Sequence, residues 1–347
     1  MSAGAGELGS GRGAEPAGGE GREILAAGAA VSGLGEPDEG TDGPGESEVF
    51  APGTLGGRVA LVTGGGTGLG RATALELARC GAAVTVVGRR EDPLRETAAA
   101  IGLERAQWLA GDVRERGEAR RLVATALERW GRLDLLVNNA GGQYFTPAEG
   151  IVAKGWGAVW RLNVDGMLNM AHEVFAQAFA VAAGGLGGGG GGAAACVGGD
   201  APTAEPRIVN VTLSPHHGMP GMAHSGAARA TVEALTRELA VRWASNGVTV
   251  CAVAAGHFDT EAMGKYPDVV RAGMARSVPL QRLGTVQEHA WLVALLASPL
   301  GAAFNGSTVT LDGARDNWFG PWPPPGLADA GGDVPTESRR GGGGTAA

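Results

Sequence analysis

The sequence predicts an α/β fold: a doubly wound parallel sheet of about seven strands with helices on both faces. Three observations lead there. From residue 57 onward, short β-branched runs alternate with segments of helical period. The runs are apolar on both faces, as strands covered from each side must be. The first run passes through a glycine turn straight into a helix. Strand, helix and strand in repeated succession imply right-handed crossovers.

In order, the strand-like runs are RVALVT (58–63), AAVTVVG (82–88), the weaker QWLA (107–110), LDLLVNNA (133–140), RIVNVTL (207–213), GVTVCAVAAG (247–256) and STVTLDG (307–313). Between them, the segment 70–80 puts Ala74, Leu77 and Ala78 on one face. The segment 115–130 does the same with Leu122, Ala126 and Trp130. A long helix is expected from Trp156 to about Val181. In 227–245, Val232, Leu235, Leu239 and Trp243 recur at helical spacing, and 286–297 is the last helix.

Composition limits the rest. Glycine is 63 of 347 residues and proline 18, about twice the usual combined share. The excess sits in three tracts. Residues 1–50 hold 14 glycines and ten acids against Arg12 and Arg22. Residues 183–206 include GGLGGGGGGAAACVGG, and 321–347 are rich in proline and glycine. The expected organisation is therefore a disordered acidic arm (1–50), one domain (51–320) with a glycine-rich insert, and a disordered tail. The arm accounts for the whole net charge of −8, so the domain itself is balanced. A nucleic-acid partner held by net field is thereby excluded. The arm has the wrong sign for a mitochondrial address and lacks an apolar secretory core, and the C-terminus is no Ser-Lys-Leu signal, so a cytoplasmic location is expected. Residues 174–199 are uncharged, but glycine interrupts them too often for a membrane span. Cys80, Cys196 and Cys251 are too scattered for a disulfide framework or a metal site.

The chemistry starts at Thr63-Gly64-Gly65-Gly66-Thr67-Gly68-Leu69-Gly70. Glycines let a backbone turn tightly and approach a pyrophosphate, while the following helix offers free N–H groups and its positive dipole end. Strand, glycine turn and helix are the context a dinucleotide site needs. Its selectivity is legible after the second strand, where Arg89 and Arg90 follow Gly88. Arginine suits a ribose 2′-phosphate through bidentate bonds, so NADP(H) is the expected cofactor. NAD(H) is the alternative if Glu91 or Asp92 reaches the ribose instead.

Together these features resemble the short-chain dehydrogenase/reductase family over about residues 55–313, which implies a Rossmann-type domain and a small-molecule substrate. Asn138-Asn139-Ala140-Gly141 resembles the motif that braces the sheet beside the cofactor. Asp112-Val113 resembles the pair that meets the adenine, and Asn163 the catalytic asparagine. Ala255-Gly256 with Thr260 resembles the segment at the nicotinamide amide, with Ala255 where proline is usual. The resemblance also implies a homo-oligomer, usually a tetramer built through the two long helices.

The catalytic motif departs from that pattern. The family's Tyr-x-x-x-Lys falls on Ser225 and Arg229, and the family's upstream serine falls near Leu213, with Ser214 one place beyond. Serine is a far weaker acid than tyrosine, and arginine hardly titrates, though it can hold a ribose and stabilise negative charge. Conjugate reduction of an unsaturated thioester needs donors at an enolate oxygen and a proton at the α-carbon, which such a site can serve. The strings 139–149, Lys154-Gly155-Trp156 and His224-Ser225-Gly226-Ala227-Ala228-Arg229-Ala230 resemble peroxisomal trans-2-enoyl-CoA reductases. The 2,4-dienoyl-CoA reductases are more distant in this reading, since their tyrosine position is Ser214 here. Gly218-Met219-Pro220-Gly221-Met222, with the string after it, also resembles citronellol-type dehydrogenases.

The expected activity is NADP(H)-dependent reduction of a 2-enoyl-CoA, with an acyl-CoA as substrate. The alternatives are oxidation of a terpenoid or other secondary or allylic alcohol, and a dinucleotide-binding protein without catalysis. Arg229 and Asn163 are expected to organise cofactor and water, and Ser225 and His224 to polarise the substrate. Gln143, Tyr144 and Ser214 are expected at the substrate. His216, His217 and Tyr144 are further proton-donor candidates, and Trp318, Phe319 and Trp322 a candidate cover.

Overall fold

The computed structural model describes residues 43–180, 205–214, 216, 221–265 and 268–318. The expected arm to residue 42, the insert at 183–204 and the tail beyond 318 lie outside these residues, as do Cys196, His217, Phe319 and Trp322. Strands β1 (Val59–Thr63), β2 (Ala83–Gly88), β3 (Ala106–Ala110), β4 (Leu135–Asn138), β5 (Arg207–Leu213) and β6 (Thr249–Ala255) join one sheet. A two-residue pair, β7 (Phe258–Asp259) with β8 (Gly284–Thr285), stands apart, and β9 (Thr308–Leu311) completes the main sheet. The order is β3-β2-β1-β4-β5-β6-β9, and every neighbour pair is parallel. The chain reverses direction across the sheet between β1 and β4, and ligands of such sheets bind outside the strand ends at that switch point.

The helices are α1 (Gly68–Arg79), α2 (Glu91–Ile101), α3 (Arg116–Trp130), α4 (Ala153–Trp160), α5 (Gly166–Val174), α6 (Ala223–Trp243), α7 (Asp268–Arg276) and α8 (Val286–Ala297). Alternate residues of β1 explain the two-faced apolar runs. Ala60 and Val62 enter the layer of α1, α2 and α8, with Leu77, Ile101 and Val293. Val59 and Leu61 enter the layer of α3, α5 and α6, with Leu122, Met170 and Val232. Leu77 and Leu122 are fully buried, so truncating either to alanine costs about 2–5 kcal/mol.

Three differences from the sequence reading bear on the site. First, α2 and α7 were not anticipated. The sign for α2 was present, with Glu91, Asp92 and Pro93 in its first turn. Second, the expected long helix begins at Ala153 and is broken by π-helical turns at Arg161–Asp165 and Phe175–Phe179. Such turns carry one extra residue and often mark functional positions, and the first holds Asn163. Third, residues 43–50, placed in the arm by composition, lie against α1. The Pro44 carbonyl accepts from Arg79 Nε at 2.7 Å, and Ser47 Oγ donates to the fully buried Glu76 at 2.5 Å.

Candidate active site

The turn between β1 and α1 is built for a close backbone approach. A Cβ on Gly70 would lie 2.2 Å from the Gly64 carbonyl and 2.4 Å from Asn139 Nδ2. Gly64 and Gly68 hold φ of +67° and +53°, where side chains are disfavoured. Thr63 locks this turn to β4: its hydroxyl accepts from the Asn139 and Ala140 N–H groups, each at 3.0 Å, and Asn139 Nδ2 donates to the Thr63 carbonyl. The glycine loop, the end of β2, the segment 111–113 and the end of β4 surround a cavity of about 780 Å³. That volume lies in the range of ligand and cofactor sites.

Most of the expected cofactor residues line this cavity: Gly64, Gly66 to Gly70, Arg89, Arg90, Asp112, Val113, Asn139 to Gly141, and Thr260. Among the described residues, Arg89 and Arg90 form no hydrogen bond or ion pair, and both are exposed. The neighbouring acids are engaged elsewhere, Glu91 and Asp92 with Arg95 at 3.7 and 3.3 Å. The Arg114 guanidinium holds the Asp112 carboxyl below its usual range. Thr63, Gly256 and Arg229 lie outside the lining. Thr63 is buried behind the turn, and Gly256 packs against Asp312 so closely that a Cβ would lie 2.5 Å from its Cβ.

The other half of the site gathers around the start of α6. The Arg229 guanidinium and the Asn163 side chain converge on Gly141: a Cβ there would lie 2.3 Å from Arg229 Nη2 and 2.9 Å from Asn163 Oδ1. Arg229 Nη1 donates to the Val211 carbonyl at 2.7 Å, while Nε is buried without a partner. Burial pushes the guanidinium down to about 10, so it remains a cation at neutral pH. Among the described residues no carboxylate pairs with it. Asn163 spends its amide on backbone, donating to the Val159 and Gly142 carbonyls and accepting from the Gly142 N–H. It thus fixes the loop that carries Gly141 and Gly142.

Ser225 is fully buried and its hydroxyl donates to Gln143 Oε1 at 3.1 Å. His224 is 1% exposed, and among the described residues neither ring nitrogen has a hydrogen-bond partner. Tyr144 covers that ring, centroids 4.4 Å apart. The sequence candidates Gln143 and Tyr144 therefore lie directly on Ser225 and His224. Ser214 does not join them; its hydroxyl donates to Asp312, a residue absent from the sequence reading. Asp312, Glu233 and Asp316 were missed because no local motif marks them. They reach the site by folding, from α6 and the turn after β9.

A family model described as "short chain dehydrogenase" matches residues 58–186, and one described as "Enoyl-(Acyl carrier protein) reductase" matches 193–314. The chain is 33% identical over 273 residues to a probable 2,4-dienoyl-CoA reductase of Bacillus subtilis, covering 77% of this chain and 98% of that one. The chain belongs to the short-chain dehydrogenase/reductase family. As a member it is an NAD(P)-dependent oxidoreductase with the Rossmann-type sheet of that family. Among solved structures, it is similar to a citronellol catabolism dehydrogenase of Pseudomonas aeruginosa. That likeness has 37% identity and a TM-score of 0.64, covering 80% of this chain and all of the other. It is also similar to a 3-ketoacyl-(acyl-carrier-protein) reductase of Brucella melitensis complexed with NADH, at 26% identity and a TM-score of 0.66, covering 76% and 99%.

The chain has two tyrosines, Tyr144 and Tyr266, and Tyr266 lies outside the described residues. The sequence reading puts Ser225 and Arg229 at the family's tyrosine and lysine positions. Among the described residues, no helix is long and apolar enough to cross a membrane, and no His, Cys, Asp and Glu group forms a candidate metal site.

Proposed function

We propose that the protein is an NADPH-dependent reductase of a 2-enoyl-CoA thioester. The observation that carries this reading is Arg229, a buried cation with no carboxylate partner, beside a serine in place of the tyrosine acid. The cavity fits a nicotinamide dinucleotide: its glycine turn admits no Cβ at Gly70, and its lining ends in two arginines without ion pairs. Arg89 and Arg90 would hold the 2′-phosphate, and Asp112 and Val113 the adenine. NADPH, when bound, supplies the hydride for the β-carbon.

The chain's own residues manage the charge. Negative charge collects on the thioester oxygen, and Arg229 stabilises it with a fixed positive charge in a desolvated setting. Ser225 exchanges its bond to Gln143 for a bond to that oxygen. The unpartnered nitrogens of His224 hold the proton delivered to the α-carbon. Asn163 keeps Gly141 and Gly142 in place beside the reacting carbon. The oxidoreductase is read as a homo-oligomer, supported by Trp156 and Leu168, 42% and 38% exposed on α4 and α5.

The test is NADPH consumption with crotonyl- to decenoyl-CoA. Turnover across that series is the expected result. No turnover, together with NADP-dependent oxidation of a terpenoid or allylic alcohol, overturns the reading in favour of the second enzyme class, which the likeness to the citronellol catabolism dehydrogenase favours.

A further inference from the structure

A second polar group stands beside the reaction site and takes no part in the chemistry above. The chain leaves β5 through Ser214 and His216. The His216 ring lies between two carboxylates, with Nδ1 2.7 Å from Asp316 Oδ2 and Nε2 3.2 Å from Glu233 Oε1. Its main-chain N–H also donates to Asp316. Glu233 and Asp316 are largely covered, their side chains 13% and 16% exposed, while His216 is an exposed residue whose ring is held between them.

These residues belong to three separate elements. Glu233 lies one helical turn beyond Arg229 on α6, and Thr212 Oγ1 of β5 contacts both Glu233 Oε1 and the Arg229 carbonyl, at 3.3 and 3.2 Å. Asp316 sits on the 3₁₀ turn Arg315–Asn317. The N–H groups of Arg315 and Asp316 are held by Asp312, at 3.1 and 2.7 Å, and Asp312 also accepts the Ser214 hydroxyl. A neutral imidazole has one N–H and donates one hydrogen bond. The Asp316 contact is a hydrogen bond, while Nε2 and Glu233 lie at ion-pair distance, and burial pushes the Glu233 carboxyl up.

We propose that His216 is a positioning residue: it clamps α6 and the turn after β9 to the end of β5, and so holds Arg229 and Ser214 in register. The proposal rests on α6 carrying the reactive groups, as read above. Arg237 of α6 acts on Glu233, and Asp312 accepts from the Asp316 N–H. Among the described residues, none of its three members lines the dinucleotide cavity.

The test uses the full chain and its variants His216→Gln, His216→Arg and Asp316→Asn. Hydrogen–deuterium exchange of peptides covering 205–233 and 308–318 is measured. In His216→Gln and Asp316→Asn, exchange in both peptides rises severalfold over the native protein, and in His216→Arg, which keeps a cation between the carboxylates, it stays at the native level. With a thioester substrate, His216→Gln lowers kcat about tenfold, as misplacement of reacting groups does. Its dinucleotide affinity stays within about twofold, since the cavity is lined by other residues. Native-like exchange in His216→Gln overturns the proposal. Should that variant not fold, native-like exchange in Asp316→Asn overturns it equally. If no thioester is turned over, the function reading fails while the exchange arm still decides the clamp.

Discussion

The two ends of the site are built on different principles. At the β1–α1 turn, glycines bring backbone to backbone, and Arg89 and Arg90 stand exposed at the rim. At the start of α6, side chains do the work: among the described residues, a guanidinium without a carboxylate, an imidazole without a hydrogen bond, and a serine bonded to a neighbouring amide. The first end accepts almost no substitution, because added atoms meet backbone. The second can change its side chains while the fold persists, as the reading of Ser225 and Arg229 at the family's tyrosine and lysine positions implies.

The largest expected effect tests the second end. Arg229→Met lowers turnover about 10²–10³-fold, the usual loss when a preorganised charge donor is removed. The fold holds, because a buried cation with no carboxylate partner among the described residues contributes little to stability. Turnover within threefold of the native protein contradicts the role given to Arg229. The matching change at the first end is Gly70→Ala. Its Cβ would meet the Gly64 carbonyl at 2.2 Å, so α1 must shift, destabilising the domain by about 1–3 kcal/mol and removing dinucleotide binding. Retention of binding, measured by NADPH fluorescence, breaks the claim that this turn tolerates only backbone.

A third change separates structural from catalytic titration. His289 of α8 is fully buried, and burial holds its ring down to about 4. An unfolded histidine titrates near 6.5, so between these values the unfolded chain binds the extra proton. Stability therefore falls as pH drops from about 6.5 to about 4, by up to ~3 kcal/mol. In His289→Gln this part of the slope is absent. Equal slopes of urea midpoint against pH in the two proteins contradict the assignment.

The smallest effect concerns the N-terminal boundary. Removal of residues 1–42 leaves activity and melting temperature unchanged, while removal through residue 50 costs about 1 kcal/mol, because Glu76 loses the Ser47 hydroxyl. Calorimetry of both truncations checks this, and an equal outcome for the two denies residues 43–50 a role.

Legibility in the sequence follows the same division. Five of the seven sheet strands were visible because two-faced burial writes a continuous apolar run, while the edge strands β3 and β9 are only partly buried and β3 gave the weaker run. The glycine turn, Arg89-Arg90 and Asn139 were visible because their spacing along the chain mirrors their placement on β1, β2 and β4. The α2 helix escaped notice although its first turn carries two acids and a proline. The π turn around Asn163 leaves no periodic signature. Asp312, Glu233 and Asp316 meet Ser214 and His216 only in three dimensions, from segments about 20 to 100 residues away in sequence. No local pattern encodes such a meeting. Nor did spacing reveal that Tyr144 lies over His224 while Gln143 occupies the Ser225 hydroxyl.

The most direct measurement is a titration of the native protein, and of an Arg89→Gln/Arg90→Gln double variant, with NADPH and NADH. The account predicts saturable binding with NADPH at least about tenfold tighter than NADH, as bidentate phosphate contacts provide, and loss of that preference in the variant with NADH affinity kept. Absence of saturable binding, or equal affinity of the native protein for both dinucleotides, contradicts it.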